Sequence, residues 1–573
     1  MCGIFFSLNH SDHVLPNEET NCLLNQRGPD SFQIHKAQQL IPHQSGSICL
    51  TFVSTVLSMR GDEIVSQPMV DQTTGSVLCW NGDAWKIAGE PIQGNDTQLI
   101  FRLLLQAVYL SAGTGDAIQR IIDVVSGISG PFAFVFYDAV NAKLYFTRDC
   151  LGRRSLLQGL DVSGALKICS LCDGTSSTNF EEVSTTGLHI LDLTNSFMEG
   201  HCNLNNIQTF PWQNTDLPGH LINPIPLMNR STPQGSPPQL TVESASVKSL
   251  EKNLRQSLAL RIQNVREPPN FNCQNNTKVA VLFSGGLDCT ILARLSTEIL
   301  PIDETIDLLN VAFENPRVVA AAAASNGTKT SSVYESCPDR ITGRAAYAEL
   351  QKVCPSRNWR FVAIDIPYSE TVAHRETVKR LMRPHNTEMD LSIACALYFA
   401  SRGQGFAIDS QRSHIEPRTY TTPARVLLSG LGADELFAGY ARHGIAFSRD
   451  GFEGLIDEID LDVSRLGKRN LGRDNRVIAH WGREARFPYL DEDFVSWVVQ
   501  VPVWEKCGFG LCALEGEIKD SSASIDPEKR ALRLVALILG MPNVAKEKKR
   551  AIQFGSRTAK MEKGRVKGTD ALS

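Results

Sequence analysis

The chain has 573 residues, 42% hydrophobic and 21% charged, with a formal net charge of −5. That is ordinary globular material, roughly three to four domains of about 150 residues each. It offers no electrostatic case for a nucleic-acid partner and no run of about 18 apolar residues to cross a membrane. The opening Met-Cys-Gly-Ile-Phe-Phe-Ser-Leu lacks the basic stretch of a secretory signal. The 15 cysteines are therefore expected as reduced thiols of a cytoplasmic protein. Cys169-Ser-Leu-Cys172 and the neighbours Cys507 and Cys512 lack the matching second pair of a zinc site, so no metal is expected there.

In chain order, the first 160 residues read as β-rich. Short apolar runs at 4–8, 48–56 and 77–80 predict strands, and 131–137 with 144–147 predicts a hairpin. Helical periodicity covers 97–110. Clustered Pro, Asn, Ser and Gly at 213–243 have linker composition and mark a domain boundary. Beyond it, strand-like runs at 278–283, 306–313, 361–366 and 425–428 alternate with helical patterns, which predicts a parallel, doubly wound sheet. Residues 317–338 break the rhythm and read as an insertion or mobile loop, and the polar tail 556–573 as a frayed end.

Cys2 carries the chemistry of the first region. If Met1 is removed, thiol and α-amine sit on one residue. Their ordinary pKa values, about 8.5 and about 7.7–8.0, let the amine take the thiol proton at neutral pH. Position 2 alone is weak, because many chains begin Met-Cys. Arg60, Asn81-Gly82-Asp83 and Asn95-Asp96-Thr97 support it, together with Gln26-Arg-Gly-Pro-Asp30 and Arg148-Asp-Cys-Leu-Gly-Arg153. Singly, Arg60 reads as a surface arginine, Asn81-Gly82 as a hairpin turn and Asp96 as a helix cap. As a set, their type, order and spacing resemble the class II glutamine amidotransferase domain, an N-terminal-nucleophile hydrolase of αββα type, over roughly residues 2–185. The resemblance implies that Cys2 attacks the glutamine amide and that Arg60 and Asp96 hold the α-carboxylate and α-ammonium. Asn81 and Gly82 would form the oxyanion hole. The family usually writes Glu where this chain has Asp83.

In the second region, Leu282-Phe-Ser-Gly-Gly-Leu-Asp-Cys289 joins a predicted strand to a helix. Glycines allow a tight turn that presents N–H groups to phosphate at a helix start. Ser284, Gly285 and Gly286 fit that role, and Asp288 can hold Mg²⁺. No Gly-Lys-Ser/Thr follows, so this is no Walker loop; it resembles the pyrophosphate-releasing PP-loop ATPases. A second glycine turn, Ser429-Gly-Leu-Gly-Ala-Asp-Glu435, lies about 145 residues on, followed by Glu484-Ala-Arg-Phe-Pro-Tyr-Leu-Asp491 and Lys529. This order, over about 278–560, resembles glutamine-dependent asparagine synthetase, with 186–277 as connecting segment and 561–573 as tail. Pro338-Asp-Arg-Ile-Thr-Gly-Arg344, Arg469-Asn-Leu-Gly-Arg473 and Lys560-Met-Glu-Lys563 resemble a eukaryotic subgroup of that family.

The resemblance implies an α/β PP-loop domain that uses ATP and Mg²⁺, with glutamine and aspartate as further small-molecule substrates; any protein partner is unreadable. Leu282, Val311, Ser429 and Gly430 would line the ATP site, Asp288 and Asp434 would serve Mg²⁺, and Lys529 would neutralise the leaving pyrophosphate. Two residues depart from the family. Cys289 replaces a serine, a weaker donor. Leu431 replaces a glutamate expected to orient ammonia and take its proton, which leucine cannot do. Three readings follow: a working synthetase, a PP-loop enzyme with another acceptor, or a binding protein that keeps the fold.

Overall fold

The computed structural model describes residues 1–573 except 41–46, 111–115, 174–179, 195–196, 199–200, 203, 216–217, 270, 273–275, 325–331, 411–416, 512–524, 562–566 and 573. It divides into two compact units, one of 1–224 with 379–386 and 466–484, the other of the remaining residues.

In the first unit, alternation along the strands sorts side chains into two cores. Ile4, Phe6 and Leu8 of strand Gly3–Asn9 and Leu50 and Phe52 of Ser47–Val56 meet Val77, Cys79, Ala133 and Val135 between two antiparallel sheets. The alternate residues Leu78, Trp80, Phe132, Phe134 and Phe136 face outward and pack on Ile100, Phe101 and Leu104 of helix Asp96–Leu110 and on Ile121, Ile122 and Val125 of Ala117–Ser126. The helix Glu18–Arg27, started by the Asn17 side chain accepting from the Thr20 N–H at 2.7 Å, covers the opposite sheet. The layer order is αββα, as expected.

Segment 186–277, read from sequence as a connection, carries regular structure. Gly187–Asp192 and Ile207–Gln213 are strands of the second sheet, and Ala245–Ile262 is a helix of the second unit. Strand periodicity there is short and interrupted, which hid it in composition. The change of unit at Pro224 falls within the Pro/Asn/Ser-rich stretch.

The second unit is built on a seven-stranded sheet. Trp359–Ile366, Ile306–Phe313, Val279–Leu282 and Val426–Leu428 lie side by side in parallel, in that spatial order. Gln404–Asp409 and Arg418–Thr421 extend it antiparallel on one edge. The first strand in sequence thus neighbours both the second and the last of the parallel set, so the order reverses between Val279–Leu282 and Val426–Leu428. Such a switch point leaves a crevice at the carboxyl ends of the strands. Both glycine turns follow these two strands.

Two expectations need correction. The break at 317–338 was expected as an insertion or mobile loop; a helix, Pro316–Ala324, occupies its first part, because an alanine run is strongly helix-forming, and 325–331 lie outside the described residues. The tail is not simply frayed: Glu388 and Met389 donate backbone hydrogen bonds to Asp570 and Gly568 at 3.0 and 2.9 Å. Residues 562 and 563 of the Lys560–Lys563 signature lie outside the described residues.

Candidate functional site

Two sites emerge, one in each unit. In the first unit, Cys2, Arg60, Gly82 and Asp96 line one cavity with Gln67, Asp83, Thr97 and Glu484. Cys2 stands at the head of the innermost strand and is 8% exposed. Burial pushes its thiol above the ordinary value. With Met1 in place, the α-amine is also buried, and desolvation lowers it to about 5 against the opposing pull of Glu484.

Asp96 opens its helix. Its Oδ2 accepts from Trp80 Nε1 at 3.1 Å and from the Ala84 N–H at 2.9 Å. Burial raises its pKa while Arg60 works against that rise. Arg60 pairs with Asp83 at 3.3 Å, donates to the carbonyl of Ile92 at 2.8 Å and also to that of Ala84. Asp83, where the resemblance implies Glu, is thus one of the groups holding the guanidinium. Asn81 does not line the cavity directly. Its amide oxygen and nitrogen are both buried and have no hydrogen-bond partner among the described residues, a costly arrangement unless a ligand completes it.

Sequence reading missed Glu484. Its motif belongs by resemblance to the second region, yet Glu484 is part of the first unit, where Arg154 Nη2 lies 3.3 Å from it. Nothing in a local pattern links residues 482 positions apart. The same division brings 466–484 into this unit, where Arg476 Nη1 donates to Glu182 at 2.7 Å and to Ser155 Oγ at 2.8 Å. The signature at 469–473 therefore lies in the first unit.

In the second unit, Ser284, Gly286, Asp288 and Lys529 line a pocket with Asp339, Thr342, Arg533 and the run Glu547–Arg550. The two glycine turns are joined here. A Cβ on Gly430 would stand 2.8 Å from that of Asp288, so only glycine lets the turns approach so closely. Lys529 then bridges them: its Nζ lies 2.8 Å from Asp288 and 2.8 Å from Asp434, and Lys549 also pairs with Asp434. Burial opposes charge on both partners, but Lys529 and Lys549 hold Asp434 well below the carboxylate range, and the two aspartates raise Lys529. Burial and the Asp434 charge raise Asp288. Leu282 and Val311 sit at the ends of adjacent strands but do not line this pocket; Gly285 and Ser429 belong to the two turns.

Burial lifts the Cys289 thiol to about 12, so it stays a neutral, weak donor. Glu435 cannot stand in for a carboxylate at 431: it is 4% exposed and its Oε1 accepts from Tyr440 OH at 2.5 Å.

Among the described residues no cluster of three metal-ligating side chains occurs, every cysteine whose side chain is described is a free thiol, and no helix is long and apolar enough to cross a membrane. Cys512 lies outside the described residues.

Residues 272–460 and 453–567 match the asparagine synthase family. The human protein named asparagine synthetase domain-containing protein 1 is 34% identical over 661 residues, covering 100% of this chain and 97% of its own. Its bovine counterpart is 34% identical over 659 residues, covering 99% and 97%. Among solved structures, the glutamine phosphoribosylpyrophosphate amidotransferase of B. subtilis matches with a TM-score of 0.24 and 13% identity over 57% of this chain and 71% of that one, a likeness too slight to argue from. Identity of this level across the whole length, over both the Cys2 cavity and the paired glycine turns, means that the chain belongs to the asparagine synthetase domain-containing protein 1 family.

Proposed function

We propose that the chain is a glutamine-hydrolysing, asparagine synthetase-like amidotransferase with a compromised amidation step. The observation that carries this reading is the convergence of two glycine turns, 145 residues apart in sequence, on one lysine: Ser284–Asp288 and Ser429–Asp434 meet at Lys529. Few purposes besides polyphosphate handling would concentrate Lys529, Arg533, Lys548, Lys549 and Arg550 in one pocket at a switch point.

In this reading the first unit hydrolyses glutamine. Arg60 and Asp96 hold its α-carboxylate and α-ammonium, Cys2 attacks the side-chain amide, and the unpartnered Asn81 amide with the Gly82 N–H receives the oxyanion. The Cys2 α-amine, once Met1 is removed, takes the thiol proton. The second unit binds ATP and activates a carboxylate acceptor, with aspartate the first candidate. Mg²⁺ suits the residues present, because it is commonly held by one or two carboxylates plus substrate phosphates. Asp288 and Asp434 would hold it, and it would supply charge neutralisation at the phosphates. Lys529 follows the charge onto departing pyrophosphate. The domain limits proposed are 2–185 for the glutaminase and 278–560 for the synthetase-like part.

Leu431 favours a second reading, an enzyme that adenylates another acceptor. The test is one steady-state assay with glutamine, aspartate, ATP and Mg²⁺ that reads glutamate, AMP and asparagine together, with Cys2→Ala as control. Asparagine with AMP in excess, lost in Cys2→Ala, supports the first reading, and equimolar amounts would make Leu431 a tolerated substitution. AMP only with a different acceptor supports the second. Absence of both glutamate and AMP overturns both in favour of a binding protein.

A further inference from the structure

The signature Pro338-Asp-Arg-Ile-Thr-Gly-Arg344 is not used by the reading above, yet it is built into the phosphate turn. Thr342 Oγ1 donates to the Ser284 carbonyl at 2.7 Å. Gly285, at φ +80°, lies so close that a Cβ there would stand 2.3 Å from the Thr342 carbonyl. Asn310 Nδ2 donates to the carbonyls of Phe283 and Asp339 at 2.9 and 2.8 Å, and Arg340 Nε donates to Asn310 Oδ1 at 2.7 Å. Arg340 is fully buried and also pairs with Asp365 at 2.7 Å. Turn and signature are thus one hydrogen-bonded piece, and Asp339 has little freedom to leave the pocket it lines.

The charges in that pocket differ in how they are matched. Lys529 and Lys549 are paired with Asp288 and Asp434, the carboxylates suited to a divalent cation. Asp339 stands apart from that group. It is 5% exposed, and among the described residues its only ion pair is with Arg550 Nη1 at 3.8 Å. Glu547 adds a second negative charge nearby, and burial with that repulsion keeps the carboxyl high, to about 7, against the pull of Arg550.

We propose that Asp339 is an internal competitor of the phosphate pocket: it occupies Arg550, and an incoming polyphosphate must draw that guanidinium away from it. Asp339 thereby sets the affinity of the second unit for polyphosphate, acting through Arg550 as a positioning residue. The inference rests on the polyphosphate reading of this pocket. Its physical basis is that a carboxylate fixed beside an anion site repels the anion and holds a bidentate donor away from it.

The experiment is calorimetric titration of the full chain with inorganic pyrophosphate, with and without Mg²⁺, for the wild type, Asp339→Asn, Arg550→Gln and the double variant, with melting temperatures recorded. The expected result is at least fivefold tighter binding by D339N in both conditions, weaker binding by R550Q, and loss of the D339N gain in the R550Q background. A purely structural role for Asp339 would not make its effect depend on Arg550. Equal affinity of D339N and wild type overturns the inference and leaves the pocket reading standing. Weakening of D339N in Mg²⁺ alone also overturns it, by making Asp339 a metal ligand. Failure of every form, folded by its melting temperature, to bind pyrophosphate overturns the polyphosphate reading and the inference with it.

Discussion

The two sites solve the problem of buried charge in opposite ways. Around Cys2, the Asn81 amide has no hydrogen-bond partner among the described residues and the thiol is kept neutral by burial. Around Lys529, Asp288, Asp434 and Asp339 each face a cation. The first arrangement leaves hydrogen-bonding capacity for a neutral amide. The second keeps a dense set of charges compensated until a ligand exchanges partners with them. A site for a neutral group can leave donors vacant at modest cost, whereas unpaired buried ions would cost several kcal/mol each.

The contrast can be broken most sharply at its two centres. Cys2→Ala is expected to lower glutamine hydrolysis by at least ~1,000-fold and leave pyrophosphate binding unchanged, checked by glutamate release and calorimetry on the same preparation. Coupled loss of both would mean that the two sites are not separately built. Asn81→Ala is expected to lower kcat of glutamine hydrolysis by about 100–1,000-fold with little change in KM, as for a donor used mainly in the transition state.

Lys529→Met tests the opposite principle. It leaves Asp288 and Asp434 in a buried setting without their shared lysine, Lys549 remaining on Asp434, and is expected to destabilise the chain by about 3–5 kcal/mol in denaturant titrations. A stable, pyrophosphate-binding K529M would show that the pairing is dispensable. Asp339→Asn should move stability the other way, increasingly as pH rises above the ordinary carboxylate value. Its folded value is raised to about 7 from an ordinary 3.8, so the folded state binds more protons between those values and wild-type stability falls as pH rises through that window. The variant lacks this loss. Its advantage is expected to be near zero at pH 4 and to reach at most about 4 kcal/mol above pH 7. Equal melting temperatures at pH 5 and pH 8 relative to wild type would contradict this.

The smallest expected change is a gain. Leu431→Glu restores a carboxylate on the second glycine turn, and asparagine formation should rise from a low basal rate, read as ammonia-dependent product. No change would remove Leu431 as the main defect, since buried Glu435 cannot serve in its place.

Much of this was legible before any coordinates. The strands at 4–8, 48–56 and 306–313 and the helix from 97 declare themselves through periodicity, because burial of one or both faces must be written along the chain itself. Both glycine turns were legible for a similar reason: tight backbone geometry restricts residue choice locally. Strands in 186–213 were not: Ile207–Gln213 contains a proline and buries neither face fully, so its pattern is interrupted.

The sequence by itself determined the residue types of both sites, the αββα and parallel-sheet classes, and the family. Tertiary structure alone decided which residues share a cavity. It placed Glu484 beside Cys2, gave Asp83 to Arg60, joined two turns on Lys529, and set Asp339 against Arg550. Backbone periodicity is enforced by neighbours along the chain, whereas ion pairing and cavity lining depend on distances between residues that only the packed fold brings together.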